Sequence, residues 1–162
     1  MYRVCFVCTG NICRSPMAES VFRAHVAEAG LDGQVEVDSA GTGGWHEGDG
    51  ADPRTVAVLE SAGYAQAHRA RQFRRSWFAR LDLVIALDAG HLRDLRALAP
   101  TPEDAAKVRL LRSYDPAAAS ETDVPDPYYG SFDGFEDCLE LVEAASPGLL
   151  GAVREALKEH TS

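Results

Sequence analysis

Short apolar runs and longer helical patterns alternate along this chain, and the alternation constrains its fold more than any other feature. The run 83–87, Leu-Val-Ile-Ala-Leu, contains no polar residue, which is typical of a strand buried on both faces of a sheet. We predict four strands, at residues 2–7, 35–39, 83–87 and 108–111. Helical spacing predicts helices over 17–30, 53–63, 91–98 and 135–157, the last with a kink or break at Pro147 and Gly148. Such alternation predicts an α/β fold, in which helices cover both faces of a parallel sheet.

Length and composition narrow the class of protein. A chain of 162 residues, 46% hydrophobic, is long enough for one domain spanning 1–162 with its own core. The net charge of −9 repels polyanions, so we expect no nucleic-acid partner. We also expect no membrane segment, because no apolar stretch has the required length. Three of the four cysteines fall within nine positions, which suits reduced thiols and a cytoplasmic location better than a disulfide framework.

The segment between the first strand and the first helix carries the chemistry. It reads Cys8-Thr-Gly-Asn-Ile-Cys-Arg14-Ser-Pro, so that a thiol and a guanidinium begin and end a short loop. Cysteine thiolate is a strong nucleophile, and the arginine fork matches a phosphate bidentately. Gly10 and Asn11 tolerate positive φ and let backbone amides turn inward, while Ser15 and Pro16 suit the first positions of a helix. We predict an anion-binding loop with a cysteine nucleophile.

Two other interpretations of these residues are weaker. An ATP-binding loop needs the pattern Gly-x4-Gly-Lys-Ser/Thr, which the sequence lacks. Cys5 and Cys8 have the spacing of half a zinc site, but no second ligand pair follows at a suitable distance, so we predict no metal and assign Cys5 to packing. Two long loops, 40–51 and 114–134, are rich in Gly, Pro and Asp and are predicted to be functional.

Five motifs in sequence order resemble the low-molecular-weight protein tyrosine phosphatases. They are the loop 8–16, Asp-Ser-Ala-Gly-Thr at 38–42, the segment 68–72, Leu-Asp at 87–88 and Asp-Pro-Tyr-Tyr at 126–129. Together they cover nearly the whole chain. The resemblance implies a three-layer α/β/α fold with a four-stranded parallel sheet and the phosphatase loop at the carboxyl end of the first strand. It also implies hydrolysis of phosphotyrosine in proteins, without a cofactor.

The resemblance assigns roles to individual residues. Cys8 is the nucleophile, Arg14 binds the phosphate, and Asp126 is the general acid and then the base, with Asp123 a weaker candidate. Supporting roles fall to Ser39, His68 and Asp88, of which Ser39 and His68 brace the loop together with Asn11. One departure is His91, where some relatives carry Asn; we place it outside the catalytic set. The residues assigned to substrate binding are Thr9, Gly10, Asn11, Ile12, Cys13, Ser15, Trp45, Tyr128 and Tyr129.

Further expectations concern regulation. A second thiol in the loop, Cys13, can trap oxidised Cys8 as a reversible Cys8–Cys13 disulfide. Trp45, Tyr128 and Tyr129 are expected at the mouth, where they would make a slot deep enough for phosphotyrosine and too deep for phosphoserine. In the family, the tyrosines that match Tyr128 and Tyr129 can be phosphorylated by kinases, so the resemblance adds a tyrosine kinase as a candidate partner and leaves its action on this chain open. We expect a monomer or a weak dimer.

Three other functions remain open at this point. A thiol-dependent arsenate reductase of similar fold needs two further cysteines in a late loop, whereas Cys138 is the only late cysteine. A phosphocysteine carrier protein of a sugar uptake system would need neither Arg14 nor Asp126. A non-catalytic phosphotyrosine-binding protein would not need Cys8, Arg14 and Asp126 together.

Overall fold

Four parallel strands form a single sheet at the centre of the protein. The computed structural model describes residues 1–118 and 122–161. The strands are β1 (Tyr2–Cys8), β2 (Val35–Gly41), β3 (Leu83–Ala86) and β4 (Val108–Leu110), in the spatial order β2-β1-β3-β4. All four predicted strands are therefore confirmed, although β1 and β2 each extend to the loop that follows them.

Helices cover both faces of the sheet, which confirms the predicted three-layer α/β/α architecture. The helices are α1 (Arg14–Glu28), α2 (Pro53–Ser61), α3 (Ala89–Leu98), α4 (Pro102–Ala106) and α5 (Phe132–Thr161). Alternate residues of β1 enter two separate cores, because successive strand side chains point to opposite faces. Val4 and Phe6 pack in the core that includes α1 and α5, whereas Cys5 and Val7 pack in the core that includes α3.

The register of the sheet brings three loops together at one edge. Cys8, the last residue of β1, is paired with Gly41, the last residue of β2. Val7 is paired with Ala86, which ends β3. The loops that follow β1, β2 and β3 therefore leave from the same edge, and ligands of parallel sheets bind beyond the carboxyl ends of the strands.

Of the kink or break predicted at Pro147 and Gly148, the break is wrong. Helix α5 runs through both residues from Phe132 to Thr161. A proline removes one backbone donor, but the helix on both sides of it is held by burial of Ala145, Leu149 and Val153. Gly148 serves close packing, since a Cβ there would lie 2.0 Å from the carbonyl oxygen of Tyr114.

Some short elements were not predicted. They are α4 and two 3-10 helices, Arg75–Ala79 and Leu111–Tyr114. The second predicted long loop, 114–134, is shorter than expected because α5 begins at Phe132, and its residues 119–121 lie outside the described part. None of the helices within 1–118 and 122–161 is long and apolar enough to cross a bilayer.

Candidate active site

The loop between β1 and α1 wraps around the sulfur of Cys8. Asn11 adopts a left-handed conformation with φ 58°, which turns the loop, whereas Gly10 does not have positive φ. The backbone nitrogen of Ser15 donates to Cys8 Sγ at 3.4 Å, and Ser15 Oγ lies 2.9 Å from the same sulfur. Cys8 thus sits among donors at the N-terminus of α1, where the helix dipole favours negative charge.

Ser15 is not the N-cap that the sequence predicts. Helix α1 begins two residues earlier than that N-cap would place it, and Cys13 occupies the N-cap position without a side-chain hydrogen bond. The Ser15 hydroxyl is instead engaged by Cys8 Sγ, by Asn11 and by the carbonyl oxygen of Ala40. Pro16 occupies the third helical position, where its missing N–H costs no hydrogen bond of the helix.

Arg14 is buried and held by groups from two other loops. Its Nη1 donates to Asp88 Oδ2 and to the carbonyl oxygen of Val124, both at 2.8 Å. Its Nη2 lies 3.7 Å from Asp126 Oδ2. Burial opposes the charge of Arg14, yet the charge on Cys8 and the carboxylates of Asp88 and Asp126 raise its pKa. The pKa of Asp88 is lowered because hydrogen bonds from His91 N and from Arg14 outweigh burial.

His91, which the sequence analysis places outside the catalytic set, does not line the cavity but contacts the loop directly. Its Nε2 is 2.8 Å from Thr9 Oγ1 and 3.4 Å from Arg14 Nη2. Since a guanidinium can only donate, Nε2 is the acceptor in the contact with Arg14. Burial, and then the charge of Arg14, lower the pKa of His91. Its backbone nitrogen donates to Asp88 Oδ1 at 2.8 Å, and Asp88 caps α3 through that bond.

A network of polar side chains braces the loop from behind. Asn11 Nδ2 donates to Ser15 Oγ at 2.8 Å and to Ser39 Oγ at 2.9 Å. Asn11 Oδ1 accepts from the backbone nitrogen of Arg71 at 3.0 Å, and His68 Nε2 contacts the Asn11 carbonyl oxygen. The Ser39 hydroxyl, whose oxygen accepts from Asn11, donates a hydrogen bond to Oε1 of buried Glu19. Glu19 was not singled out in the sequence and Arg71 was named only as part of the segment 68–72, because nothing local distinguishes either from a surface charge.

The loop opens into a cavity of about 340 Å³. Asp126 stands at its rim, 42% exposed, and its Oδ1 accepts from the backbone nitrogen of Tyr128 at 3.0 Å. Tyr128 and Tyr129 pack edge to face with ring centroids 4.9 Å apart. Asp123 is occupied elsewhere, since it accepts from the backbone nitrogen of Ala89. The residues that line the cavity are Cys8, Thr9, Gly10, Ile12, Cys13, Arg14, Trp45, His46, Asp126, Tyr128 and Tyr129.

The cavity therefore brings together most of the residues that the sequence singles out. The predicted residues that do not line it stand behind the loop or beside Arg14, namely Asn11, Ser15, Ser39, His68 and Asp88. His46 lines the cavity but was not predicted. In the sequence, only its position next to Trp45 sets His46 apart. Its ring packs against Gly10, where a Cβ would lie 3.0 Å from His46 Cδ2.

The four cysteines have different environments. All are free thiols. Burial, followed by the charges of Asp52 and Cys8, raises the pKa of Cys13. Burial also raises the pKa of Cys138 to about 12 and raises that of Cys5. Cys138 lies in the same core as Cys8 and Cys13, whereas Cys5 lies in the core on the other face of the sheet.

Comparison with known proteins points to one family. The sequence model of the low molecular weight phosphotyrosine protein phosphatases matches residues 3–161. A low molecular weight protein-tyrosine-phosphatase of Streptomyces coelicolor is 75% identical over 158 residues, which are 97% of this chain and 96% of the relative. A protein tyrosine phosphatase of Entamoeba histolytica, solved with Hepes in its active site, has a TM-score of 0.92 at 33% identity, covering 96% of this chain and 99% of the other. The drosophila arginine phosphatase DARP has a TM-score of 0.85 at 30% identity, covering 93% and 96%.

Proposed function

The chain belongs to the low molecular weight phosphotyrosine protein phosphatase family, and from this premise we propose that it hydrolyses phosphotyrosine in proteins through a phosphocysteine intermediate. One observation carries the proposal: the buried Cys8 sulfur, 2.9 Å from Ser15 Oγ, lies in the same cavity as Arg14 and Asp126. A nucleophile, a fixed cation and an exposed carboxylate are the groups that two-step phosphoryl transfer requires.

The first step transfers the phosphoryl group to the enzyme. Cys8 thiolate attacks phosphorus, so that an S–P bond forms while the P–O bond to tyrosine breaks. Arg14 and the loop amides stabilise the charge on the three equatorial oxygens. Asp126 gives its proton to the leaving phenolate oxygen, for which its position at the rim of the cavity is suited.

The second step releases phosphate. Asp126, now ionised, takes a proton from a water molecule that attacks phosphorus. The S–P bond breaks, inorganic phosphate leaves and Cys8 returns to thiolate. The Ser15 hydroxyl and backbone nitrogen stabilise that thiolate as the leaving group, because both face the sulfur. No metal or cofactor takes part in this scheme.

Specificity for phosphotyrosine follows from the depth of the cavity. Trp45, Tyr128 and Tyr129 surround its mouth, whereas Cys8 is buried at the loop. A phenyl ring spans that depth and stacks on aromatic walls, while the shorter phosphoserine does not reach the sulfur. The same depth admits the extended side chain of phosphoarginine, which makes an arginine phosphatase the competing assignment, since DARP shares the fold.

The decisive assay compares substrates in the presence of EDTA. We expect hydrolysis of p-nitrophenyl phosphate and of phosphotyrosyl peptides to be unaffected by chelation and abolished in Cys8→Ser. Faster hydrolysis of a phosphoarginyl peptide than of the matched phosphotyrosyl peptide would assign the chain to phosphoarginine instead. Acid quenching during turnover should trap phosphate on Cys8, and its absence would contradict the covalent intermediate.

The role of Asp126 is tested through the leaving group. Asp126→Ala should lower kcat for a phosphotyrosyl peptide by about 10²–10⁴-fold, the usual contribution of general acid–base catalysis, with little change in KM. The loss should be smaller for p-nitrophenyl phosphate, because p-nitrophenolate leaves without a proton. Equal losses with both substrates would exclude Asp126 as the acid; Asp123→Ala is the matched control.

The remaining parts of the proposal concern regulation and context. Peroxide converts Cys8 thiolate to a sulfenic acid, and attack by the Cys13 sulfur forms the Cys8–Cys13 disulfide with loss of water. Mass spectrometry should find this link and its reversal by reductant; sulfonate at Cys8 as the main product would contradict it.

Tyr129, 92% exposed, is more accessible to a tyrosine kinase than Tyr128, which packs against Arg54. The chain acts in the cytoplasm as one domain, monomeric or weakly dimeric.

A further inference from the structure

A second cavity lies beside the active site and shares one wall with it. It has a volume of about 380 Å³ and lies between the loop after β2 and helix α3. Trp45 lines both this cavity and the active-site cavity. We call it the α3 groove; its lining residues are Thr42, Trp45, Phe73, Asp94, Leu95 and Leu98.

The shared wall is fixed by the backbone beneath it. A Cβ on Gly43 would lie 1.8 Å from Cζ3 of Trp45, so the indole packs directly against the glycine backbone. Even so, the Trp45 side chain is 76% exposed, and Leu98 across the groove is 37% exposed. Exposed apolar groups that adjoin a binding cavity are typical of surfaces that contact a partner. The apolar surface is thus continuous from the mouth of the active site to α3.

The groove has one charged group, the carboxylate of Asp94 on the exposed side of α3. Arg93 and Arg96 belong to the same helix but do not line the groove, and Arg96 is directed to the carbonyl oxygen of Val108. The protein as a whole carries a net charge of −9. The α3 groove is apolar with one acidic side chain, on a protein that is acidic overall, so it complements a peptide segment that is apolar and basic.

We propose that the α3 groove binds the substrate residues next to the phosphotyrosine and selects an apolar side chain followed by a basic one. The inference rests on the proposed phosphatase function, because the phosphotyrosine anchors the segment in the neighbouring cavity. Consecutive Cα atoms are about 3.8 Å apart, so one or two residues from the phosphotyrosine reach across the Trp45 wall. The apolar side chain fills the α3 groove between Trp45 and Leu98, and the basic side chain forms an ion pair with Asp94.

The test compares phosphotyrosyl peptides that differ only beside the phosphotyrosine. One series carries leucine and arginine, a second leucine and glutamate, and a third two glycines, each placed on either side. We expect kcat/KM to be about tenfold higher for leucine–arginine than for glycine–glycine, as burial of an apolar side chain and a rim ion pair would give. Equal rates for all three series would overturn the proposal.

Two variants locate the preference in the groove. Asp94→Lys should reverse the order of the leucine–arginine and leucine–glutamate peptides, a change that unfolding cannot produce. Leu98→Glu should remove the advantage of leucine over glycine. Asp32→Lys makes the same charge change before β2, at the opposite edge of the sheet, and should leave the order intact. A preference that survives both groove variants would place the selection elsewhere and overturn the proposal.

p-Nitrophenyl phosphate separates failure of this proposal from failure of the phosphatase function. It has no flanking residues, so its kcat/KM should be the same in the native protein and in Leu98→Glu. The charge of Asp94 acts on His91, so peptide rates of Asp94→Lys are expressed relative to its own rate with p-nitrophenyl phosphate. If the native protein does not hydrolyse it at all, the phosphatase assignment fails. If it does, while all peptides react alike, only the groove assignment fails.

Discussion

At the scale of single residues, His91 is the group whose removal should be most informative. It accepts from the Thr9 hydroxyl and faces Arg14, so it fixes the position of both against the phosphate. His91→Ala should lower kcat by about tenfold or more, because small displacements of positioned groups are costly in catalysis. His91→Asn, which keeps a polar side chain there, should restore part of the loss. KM for a small substrate should change less than kcat.

His25 provides the matched control for that measurement. It lies on α1 with its ring directed to the carbonyl oxygen of Val21, and it does not contact the loop. His25→Ala should leave kcat unchanged. If His91→Ala also leaves kcat unchanged, the histidine only packs α3 against the loop. A lowered pKa keeps His91 neutral near pH 7, so the effect of the variant should be fully present there.

Residues of the site differ in how far the sequence could identify them. Cys8 and Arg14 could be predicted because the strand, the loop and the helix start that place them are contiguous. Asp126 is one of 25 acidic residues, and only resemblance to a family selects it. The contacts of His91 with Thr9 and Arg14 could not be predicted, because they join the loop after β1 to the helix after β3 and no local pattern encodes them.

At the scale of elements, two glycines of α5 allow a direct test of its packing. A Cβ on Gly148 would lie 2.0 Å from the carbonyl oxygen of Tyr114, whereas a Cβ on Gly151 would meet nothing within 4 Å. Gly148→Ala should therefore destabilise the protein by about 1–3 kcal/mol, the usual cost of overpacking. Gly151→Ala should stabilise it by up to about 1 kcal/mol through helix propensity. Urea unfolding of both variants measures the difference.

The result would be contradicted if the two substitutions shifted the urea midpoint in the same direction. Opposite shifts would show that α5 is held against the 3-10 helix Leu111–Tyr114 rather than by its own propensity. The same contact explains why the sequence pattern misplaced a break there. A Pro-Gly pair ordinarily predicts the end of a helix, but here the glycine admits a backbone contact that only the folded chain makes.

Elements with long apolar patterns could be predicted, and short ones could not. The run 83–87 required burial on both faces, and β3 is indeed fully buried. Helix α4 has five residues and buries none of them, so its sequence shows no periodic apolar pattern that would predict a helix. The strand order β2-β1-β3-β4 could not be predicted from the sequence either, because it depends on the edge of the growing sheet to which each connection adds the next strand.

At the scale of the whole molecule, burial of titratable side chains predicts how stability depends on pH. Burial lowers the pKa values of His68 and His91 below 6.5. Below pH 6.5 the unfolded chain binds protons that these two histidines do not bind in the folded protein, so stability should fall as the pH decreases.

At alkaline pH the buried cysteines determine the trend. Burial raises the pKa values of Cys5, Cys13 and Cys138 above 9.0. Above that value the unfolded chain releases protons that the folded protein keeps, so stability should fall again.

The free energy of unfolding should therefore be greatest between about pH 6.5 and pH 9. Urea unfolding at pH 5, 6, 7, 8, 9 and 10, with reductant present, measures this curve. Cys5→Ala removes a fully buried thiol and should flatten the alkaline side relative to pH 7, even though the cavity lowers stability at every pH. Cys5→Ala with an alkaline decline as steep as that of the native protein would show that the thiol does not contribute. A free energy of unfolding that stays constant from pH 5 to pH 10 would contradict both the acidic and the alkaline decline. A group that stays neutral in the folded protein while it titrates in the unfolded chain must lower the free energy of unfolding.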